Sequence, residues 1–133
     1  QNLNYTRPII RKYLKESDKK TINQINSDFS VIRNNCYKYN FMINKILINL
    51  IILINKKNIK INYKNFKKLD TLLSEKIIKI IYNHIFIKKA FLRSEKVQKL
   101  LYNLKDENFK VFNLKGMLVK KTDNCLIFLK KTN

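Results

Sequence analysis

Glycine is almost absent from this sequence, with Gly116 the single glycine among 133 residues. A loop that cradles phosphate needs glycines, because they let backbone N–H groups approach the phosphate oxygens closely. We therefore expect no nucleotide-binding loop of a familiar kind within this chain.

Residues that bind metals or act as activated nucleophiles are also scarce. His84 is the one histidine, and the two cysteines, Cys36 and Cys125, lie far apart with no CxxC pair. This pattern excludes a metal knuckle and leaves little for a histidine metal site or a Ser/His/Asp triad. We expect two free thiols, with a disulfide between them as the alternative. We expect neither a metal site nor a complete catalytic centre in this chain.

Acidic residues are few: 9 stand against 29 basic ones, which gives a net charge of +20 and a pI near 10.1. A charge of this size destabilises a compact chain by self-repulsion unless an anionic partner screens it. Nucleic acid is the first candidate partner and an anionic membrane surface the second. The abundance of Ile, Asn, Lys and Tyr is typical of A/T-rich codons, so codon drift is a second source of the charge. Four arginines persist beside 25 lysines, which favours nucleic acid over membrane.

The length and the 45% hydrophobic content suit one small domain with a modest core. The apolar run 41–54 contains Lys45 and is shorter than the roughly twenty residues of a membrane span. It predicts a buried core helix, and it lies too far from the N-terminus for a signal peptide. Because the chain opens at Gln1 and not at Met, we expect a fragment or a processed chain.

Helical periodicity dominates the sequence up to residue 104. After a short helix that follows Pro8, the predicted helices cover residues 29–54, 74–86 and 94–104, the last with Ser94 as its N-cap. Residues 56–68 predict a basic connector in which lysines alternate with aromatic residues. That composition suits an RNA backbone and a solvated loop about equally well.

The C-terminal part changes to a period of two. Residues 117–119 and 125–129 flank a turn at Asp123-Asn124, and a leading strand is indicated around Phe109. The sequence therefore predicts a mainly α fold with a small C-terminal antiparallel β-hairpin or sheet, an α+β arrangement.

One polar stretch, residues 26–38, differs from the surrounding Ile/Asn/Lys repetition. Its carboxylate, Asp28, offers an acceptor for the side chain of Arg33 or Lys38, which would leave amides free for a ligand. The alternative is a plain helix start in which Asp28 or Asn26 acts as the cap.

Two segments, taken in order, resemble a known family. They are Arg7-Pro8-Ile9-Ile10 and Asn26-x-Asp28-x-x-Val31-x-Arg33-Asn34. They are similar to the end of the catalytic domain in the tRNA(Ile)-lysidine synthase family. The helix at Leu73 to Phe86, the helix begun by Ser94 and the closing hairpin follow that family's order. On this resemblance, residues 1–40 are the end of a catalytic-domain-like region and 41–133 are a helical subdomain closing in a β-hairpin.

The chain also departs from the family pattern. Asn23-Gln24-Ile25 replaces Asp-Pro-Ser, Tyr37 replaces the second arginine, and the Ser-Gly-Gly-x-Asp-Ser ATP loop is absent. The resemblance therefore implies an ATP-dependent ligase whose ATP is bound by a portion not present here.

What the resemblance implies is attachment of free lysine to the wobble cytidine of tRNA(Ile), with this portion binding tRNA and supporting the cleft. The residues assigned to that role are Arg7, Asn26, Asp28, Arg33, Asn34 and Lys38. The expected location is the bacterial cytoplasm or an organelle such as a plastid, with no membrane partner, and a homodimer is left open.

A second class of function fits the same composition. A non-enzymatic, ribosomal-type RNA-binding protein of an A/T-rich organelle or symbiont explains the size, the charge and the missing glycine loops. A peripheral membrane protein with residues 41–54 as an interfacial helix is the least favoured, because that helix is apolar nearly all round.

Overall fold

A computed structural model describes the backbone of residues 3–87 and 91–132 and the side chains of residues 7–87 and 91–132. The chain divides into two compact units, Gln1–Met42 and Ile43–Asn133.

The first unit contains helix α1, Leu3–Glu16, and most of helix α2, Lys19–Leu50. A bend at Ser17 and Asp18 separates the two helices. The Asp18 carboxylate accepts the backbone N–H of Thr21 at 2.7 Å, which caps the start of α2. The helix therefore starts ten residues before the predicted start at Phe29.

The second unit begins within α2 and continues into a strand, β1, at Ile51–Ile54. The prediction of helix up to Ile54 is wrong for these four residues. The side-chain oxygen of Asn55 accepts the backbone N–H groups of Lys57 and Asn58, at 3.0 and 2.8 Å, and so reverses the chain. The β-branched isoleucines then pair antiparallel with the next strand instead of extending the helix.

The predicted basic connector is also wrong, because its first half is a strand, β2, at Asn58–Asn62. β2 pairs with β1 on one side and with the C-terminal strand on the other. Its isoleucines, Ile59 and Ile61, are buried, while Lys60 between them points to the opposite face. The side chain of Asn62 then caps a single helical turn, α3, at Tyr63–Phe66.

Two helices follow, α4 at Thr71–Ile85 and α5 at Ser94–Asn103. Both were predicted, but their starts differ from the prediction. α4 starts three residues before the predicted start at Ser74, because Asp70 caps it by accepting the N–H of Leu73 at 2.8 Å. Ser94 is the first residue of α5, and its Oγ accepts a hydrogen bond from Lys79 Nζ at 2.7 Å.

Three strands complete the chain: β3 at Val111–Leu114, β4 at Met117–Lys121 and β5 at Cys125–Lys130. The five strands form one antiparallel sheet in the order β1-β2-β5-β4-β3. The predicted mainly α fold with a small C-terminal antiparallel sheet is confirmed, as is the β4–β5 hairpin around Asp123 and Asn124. Between β3 and β4, Lys115 and Gly116 have φ values of 48° and 85°, and such a two-residue turn favours glycine.

One hydrophobic core holds the second unit together. It joins the last two turns of α2, one face of the sheet and the inner faces of α4 and α5. The members that are at most 2% exposed come from every one of these layers and include Ile43, Leu50, Ile61, Ile77, Ile78, Tyr82, Val97, Leu100, Met117, Val119, Leu126 and Phe128.

Candidate nucleic-acid interface

The polar stretch lies on the exposed surface of α2, in the first unit. Asn26 and Arg33 are seven residues apart, so they lie on the same side of the helix, separated by about 10 Å along its axis. Asn34 and Lys38 are four residues apart and are neighbours on the adjacent strip of surface. These two strips of α2 each present one cation and one amide to solvent, and they lie about 100° or more apart around the helix.

Asp28 does not join this group. It is five residues from Arg33, which places the two side chains about 140° apart around the helix. The Asp28 carboxylate instead accepts a hydrogen bond from Gln24 Nε2 at 3.0 Å. The predicted pairing of Asp28 with Arg33 or Lys38 is therefore wrong. The alternative, a cap by Asp28 or Asn26, is wrong as well, because Asp18 caps the helix.

Arg7 lies on α1 and is exposed. Within residues 7–87 and 91–132, no ion pair joins Arg7 to Asp28 or to any other carboxylate. The structure thus brings together Asn26 with Arg33 and Asn34 with Lys38, and leaves Arg7 and Asp28 apart from them.

The first unit also exposes many apolar side chains. No side chain within residues 7–42 is buried. Phe29 and Tyr37 on α2 and Ile9 on α1 are each between 63% and 67% exposed, and Phe41 is 72% exposed. Such exposed apolar side chains make the first unit a candidate for packing against another surface.

The second unit carries most of the positive charge. Residues 43–133 contain 21 basic and 6 acidic side chains, a net charge of +15, against 8 and 3, or +5, for residues 1–42. Among the described residues of this unit there is one ion pair, between Lys79 Nζ and Glu75 Oε1 at 2.6 Å. Most of its lysines therefore have no carboxylate partner.

That one ion pair links α4 to α5, because Lys79 also donates to Ser94 Oγ. The hydrogen bond from Lys79, followed by that from Ser94, holds the pKa of Glu75 below its ordinary value of 4.5. The pair is partly shielded, with the Glu75 side chain 12% exposed. The position of this ion pair between two helices and the lowered pKa of Glu75 indicate that the pair has a structural role.

Two further lysines lie on the outer face of the sheet, the face that no helix of the second unit covers. Lys60 and Lys120 are both in register with Ile127, on either side of it. Three adjacent strands thus present a lysine, an isoleucine and a lysine in one row, with the two lysine backbones about 10 Å apart. Such a row places two cations on either side of one apolar side chain, so any anionic partner on this face would meet two positive charges.

A concave pocket of about 390 Å³ lies in the second unit. It lies where α3, the start of α4, the end of α5 and β4 meet. The lining residues are Tyr63, Phe66, Lys67, Leu69, Thr71, Ser74, Leu101, Leu104, Lys105, Glu107 and Lys121. Sequence reasoning missed this pocket, since its walls come from four separate segments. The one available signal was the aromatic-lysine run of residues 63–67.

The described residues offer neither an ATP loop nor a metal cluster. Gly116 lies in the tight β3–β4 turn, where its N–H donates to Asn113 Oδ1 at 3.2 Å and its carbonyl accepts from Lys131. It is therefore committed to the hairpin, and the residues present do not fit a phosphate-cradling loop. In residues 7–87 and 91–132, no three His, Cys, Asp or Glu side chains cluster in the manner of a metal site. His84 is exposed on α4, and Cys36 and Cys125 are free thiols.

Across the described helices, none combines the length and the apolar character needed to cross a bilayer. Comparison of the chain with models of known protein families and with curated proteins gives no match.

Proposed function

We propose that this chain is the tRNA-binding and cleft-supporting part of a tRNA(Ile)-lysidine synthase. In that role, the first unit packs against an ATP-binding portion and the second unit holds the tRNA backbone. Adenylation of the wobble cytidine and attack by free lysine take place outside these 133 residues, since no ATP loop is present in them.

The observation that carries the proposal is the surface of the first unit. Its two helices bury no side chain within residues 7–42 and expose apolar residues such as Phe29 and Ile32. An ordinary two-helix unit of this size gains too little from burial to offset the entropy of ordering its backbone. A partner surface supplies the missing burial, and the end of a catalytic domain is such a setting.

The same helix carries the polar residues that the family resemblance assigns to the site. Arg33 and Asn34 lie on adjacent strips of α2, with Asn26 in line with Arg33. A guanidinium and two amides are suited to hold an unstacked nucleotide, by stacking and by hydrogen bonds to its edge. Asp28 takes no part in this arrangement, because it faces the other way and accepts from Gln24.

The charge of the second unit supports the tRNA-binding part of the proposal. A net charge of +15 on 91 residues, with one ion pair among the described ones, leaves lysines available for phosphates. Each phosphate that a lysine neutralises releases counterions, so this binding is strong at low salt and weakens as salt rises.

A direct test is lysidine formation by a protein that joins this chain to the ATP-binding portion. The double substitution Arg33→Ala and Asn34→Ala is expected to lower tRNA affinity or the rate of lysidine formation about tenfold or more, as loss of RNA contacts does. The matched control is Lys20→Ala with Asn35→Ala, which likewise removes one cation and one amide from other exposed positions of α2. Equal activity of both double variants would contradict the proposed role of α2.

A second candidate function is a non-enzymatic, ribosomal-type RNA-binding protein. The observation that favours it is the second unit, which has its own core and most of the charge without any help from the first. Such a protein binds RNA with little regard to sequence. If six to ten phosphates are contacted, it loses roughly 10³ to 10⁵ in affinity between 50 and 200 mM salt. Under this reading, substitutions at Arg33 and Asn34 act no differently from those at Lys20 and Asn35.

A further inference from the structure

The pocket in the second unit has an apolar floor and a polar rim. Phe66, Leu104 and Ser74 form the floor and are 3 to 5% exposed, and Leu101 lies half-buried beside them. A volume of about 390 Å³ falls within the range of roughly 300 to 1,000 Å³ that is usual for small-molecule sites. The floor is therefore suited to a flat apolar group that water hydrates poorly.

One wall of the pocket is fixed by hydrogen bonds that end α5. Tyr63 donates its hydroxyl to the carbonyl of Leu104 at 2.9 Å. Lys121 Nζ donates to that carbonyl at 3.1 Å and to the carbonyl of Asp106 at 3.0 Å. The same ammonium lies 5.1 Å from the centroid of the Tyr63 ring. This wall is thus pre-ordered, which lowers the entropic cost of binding.

The rim is cationic with one carboxylate. Lys67 and Lys105 are exposed at the mouth and make no ion pair among the described residues. Glu107 is the one acid in the lining, and Thr71 opens α4, whose N-terminal dipole favours an anion. Glu107 opposes a bare phosphate but accepts hydrogen bonds from an amino group. The ligand that satisfies both features carries an anion and a flat group with N–H donors.

We propose that this pocket binds one unstacked nucleotide of an RNA, with the base on the Phe66–Leu104 floor and the phosphate between Lys67 and Lys105. The inference rests on the proposed function in one respect, that the chain binds RNA. It adds that the second unit selects RNA with an unpaired base, and does not act through charge alone. A base held on an apolar and aromatic surface is worth about 1–3 kcal/mol, or about 5- to 150-fold in affinity.

The test is the ratio of the affinities of the full chain for two RNAs of equal length, one single-stranded and one fully paired, measured by fluorescence anisotropy at fixed salt. Wild-type protein is expected to prefer the single strand about tenfold. The double substitution Lys67→Ala with Lys105→Ala should lower the ratio of the two affinities towards one. Leu101→Trp, which fills the pocket, should do the same without a change of charge. The charge-matched control is Lys96→Ala with Lys99→Ala, on the exposed face of α5. It should lower the affinity for both RNAs by the same factor.

Two results would overturn the inference, and they are distinguishable. If the wild-type protein prefers the single strand and the pocket variants keep that preference, the pocket does not hold the base, while the proposed RNA binding stands. If the wild-type protein binds neither RNA, both the pocket inference and the proposed function fail. Lys67 and Lys105 are exposed, so their substitution leaves the fold intact and the ratio measurable even if Leu101→Trp does not fold.

Discussion

The two units of this chain differ in whether they bury a core of apolar side chains. The second unit has such a core, in which Phe128, Leu100 and Ile77 each have an exposed fraction of zero, although other apolar side chains at its surface stay exposed. The first unit leaves Phe29, Phe41 and Tyr37 more than 60% exposed, although its helices are as regular. Helices that bury nothing are marginal in water, because most helical stability comes from packing. The difference shows that the second unit has its own core, and it agrees with the proposal that a partner surface completes the first unit.

The sharpest way to break this comparison is to remove one phenylalanine from each unit. Phe128→Ala leaves a cavity in the core, and we expect a loss of about 3–5 kcal/mol in the free energy of unfolding. Phe29→Ala removes an exposed ring and should change the same quantity by less than about 0.5 kcal/mol. Chemical denaturation followed by circular dichroism measures both. A comparable loss in the two variants would mean that the first unit has a core of its own.

A smaller difference in the free energy of unfolding is expected between the ion pairs of the two units. Glu75 and Lys79 are 2.6 Å apart and partly shielded, whereas Lys12 and Glu16 are 4.0 Å apart with both side chains more than 60% exposed. Glu75→Gln weakens the charged hydrogen bonds that link α4 to α5, and we expect a loss of about 1 kcal/mol at pH 7. Glu16→Gln, the control, should change stability by less than about 0.3 kcal/mol.

The effect of Glu75→Gln should depend on pH in a defined direction. Because folding lowers the pKa of Glu75, the carboxylate stabilises the folded state above the ordinary pKa of 4.5. This stabilisation is lost as the pH falls through the lower pKa of the folded state, where Glu75 becomes protonated. Wild type and variant should therefore differ at pH 7 and converge in acid. A difference that persists unchanged at a pH where Glu75 is protonated in both states would show that the contribution of Glu75 is not electrostatic.

The fold class and the closing hairpin could be predicted from the sequence because their signals are local. Alternation of apolar residues on either side of Asp123-Asn124 is enough to define two paired strands. The strand β2 was missed although Ile59 and Ile61 alternate with Asn58, Lys60 and Asn62. Its lysine-rich composition pointed to a solvated connector, and the pairing partner, β5, lies more than sixty residues further along the chain. Pairing between strands so far apart in the sequence cannot be recognised from the residues near either strand.

The candidate site could likewise be predicted only where neighbouring residues in the sequence define it. Asn26 and Arg33 share a side of α2, which their spacing of seven residues allows. The pairing of Asp28 with Arg33 failed because a continuous helix places residues five apart on different sides. The pocket was missed, since Phe66, Ser74, Leu104 and Lys121 come together only once the sheet and three helices have packed, and the run of residues 63–67 alone does not define it.

The most direct measurement of the central proposal is a competition experiment with the full chain. A labelled tRNA(Ile) with a CAU anticodon is displaced by unlabelled copies of itself or by a scrambled stem-loop of equal length, at moderate salt. A tRNA-binding part of a lysidine synthase should prefer the tRNA by about tenfold or more, which corresponds to about 1.4 kcal/mol. Equal competition by the two RNAs would contradict that assignment and support the ribosomal-type RNA-binding protein in its place.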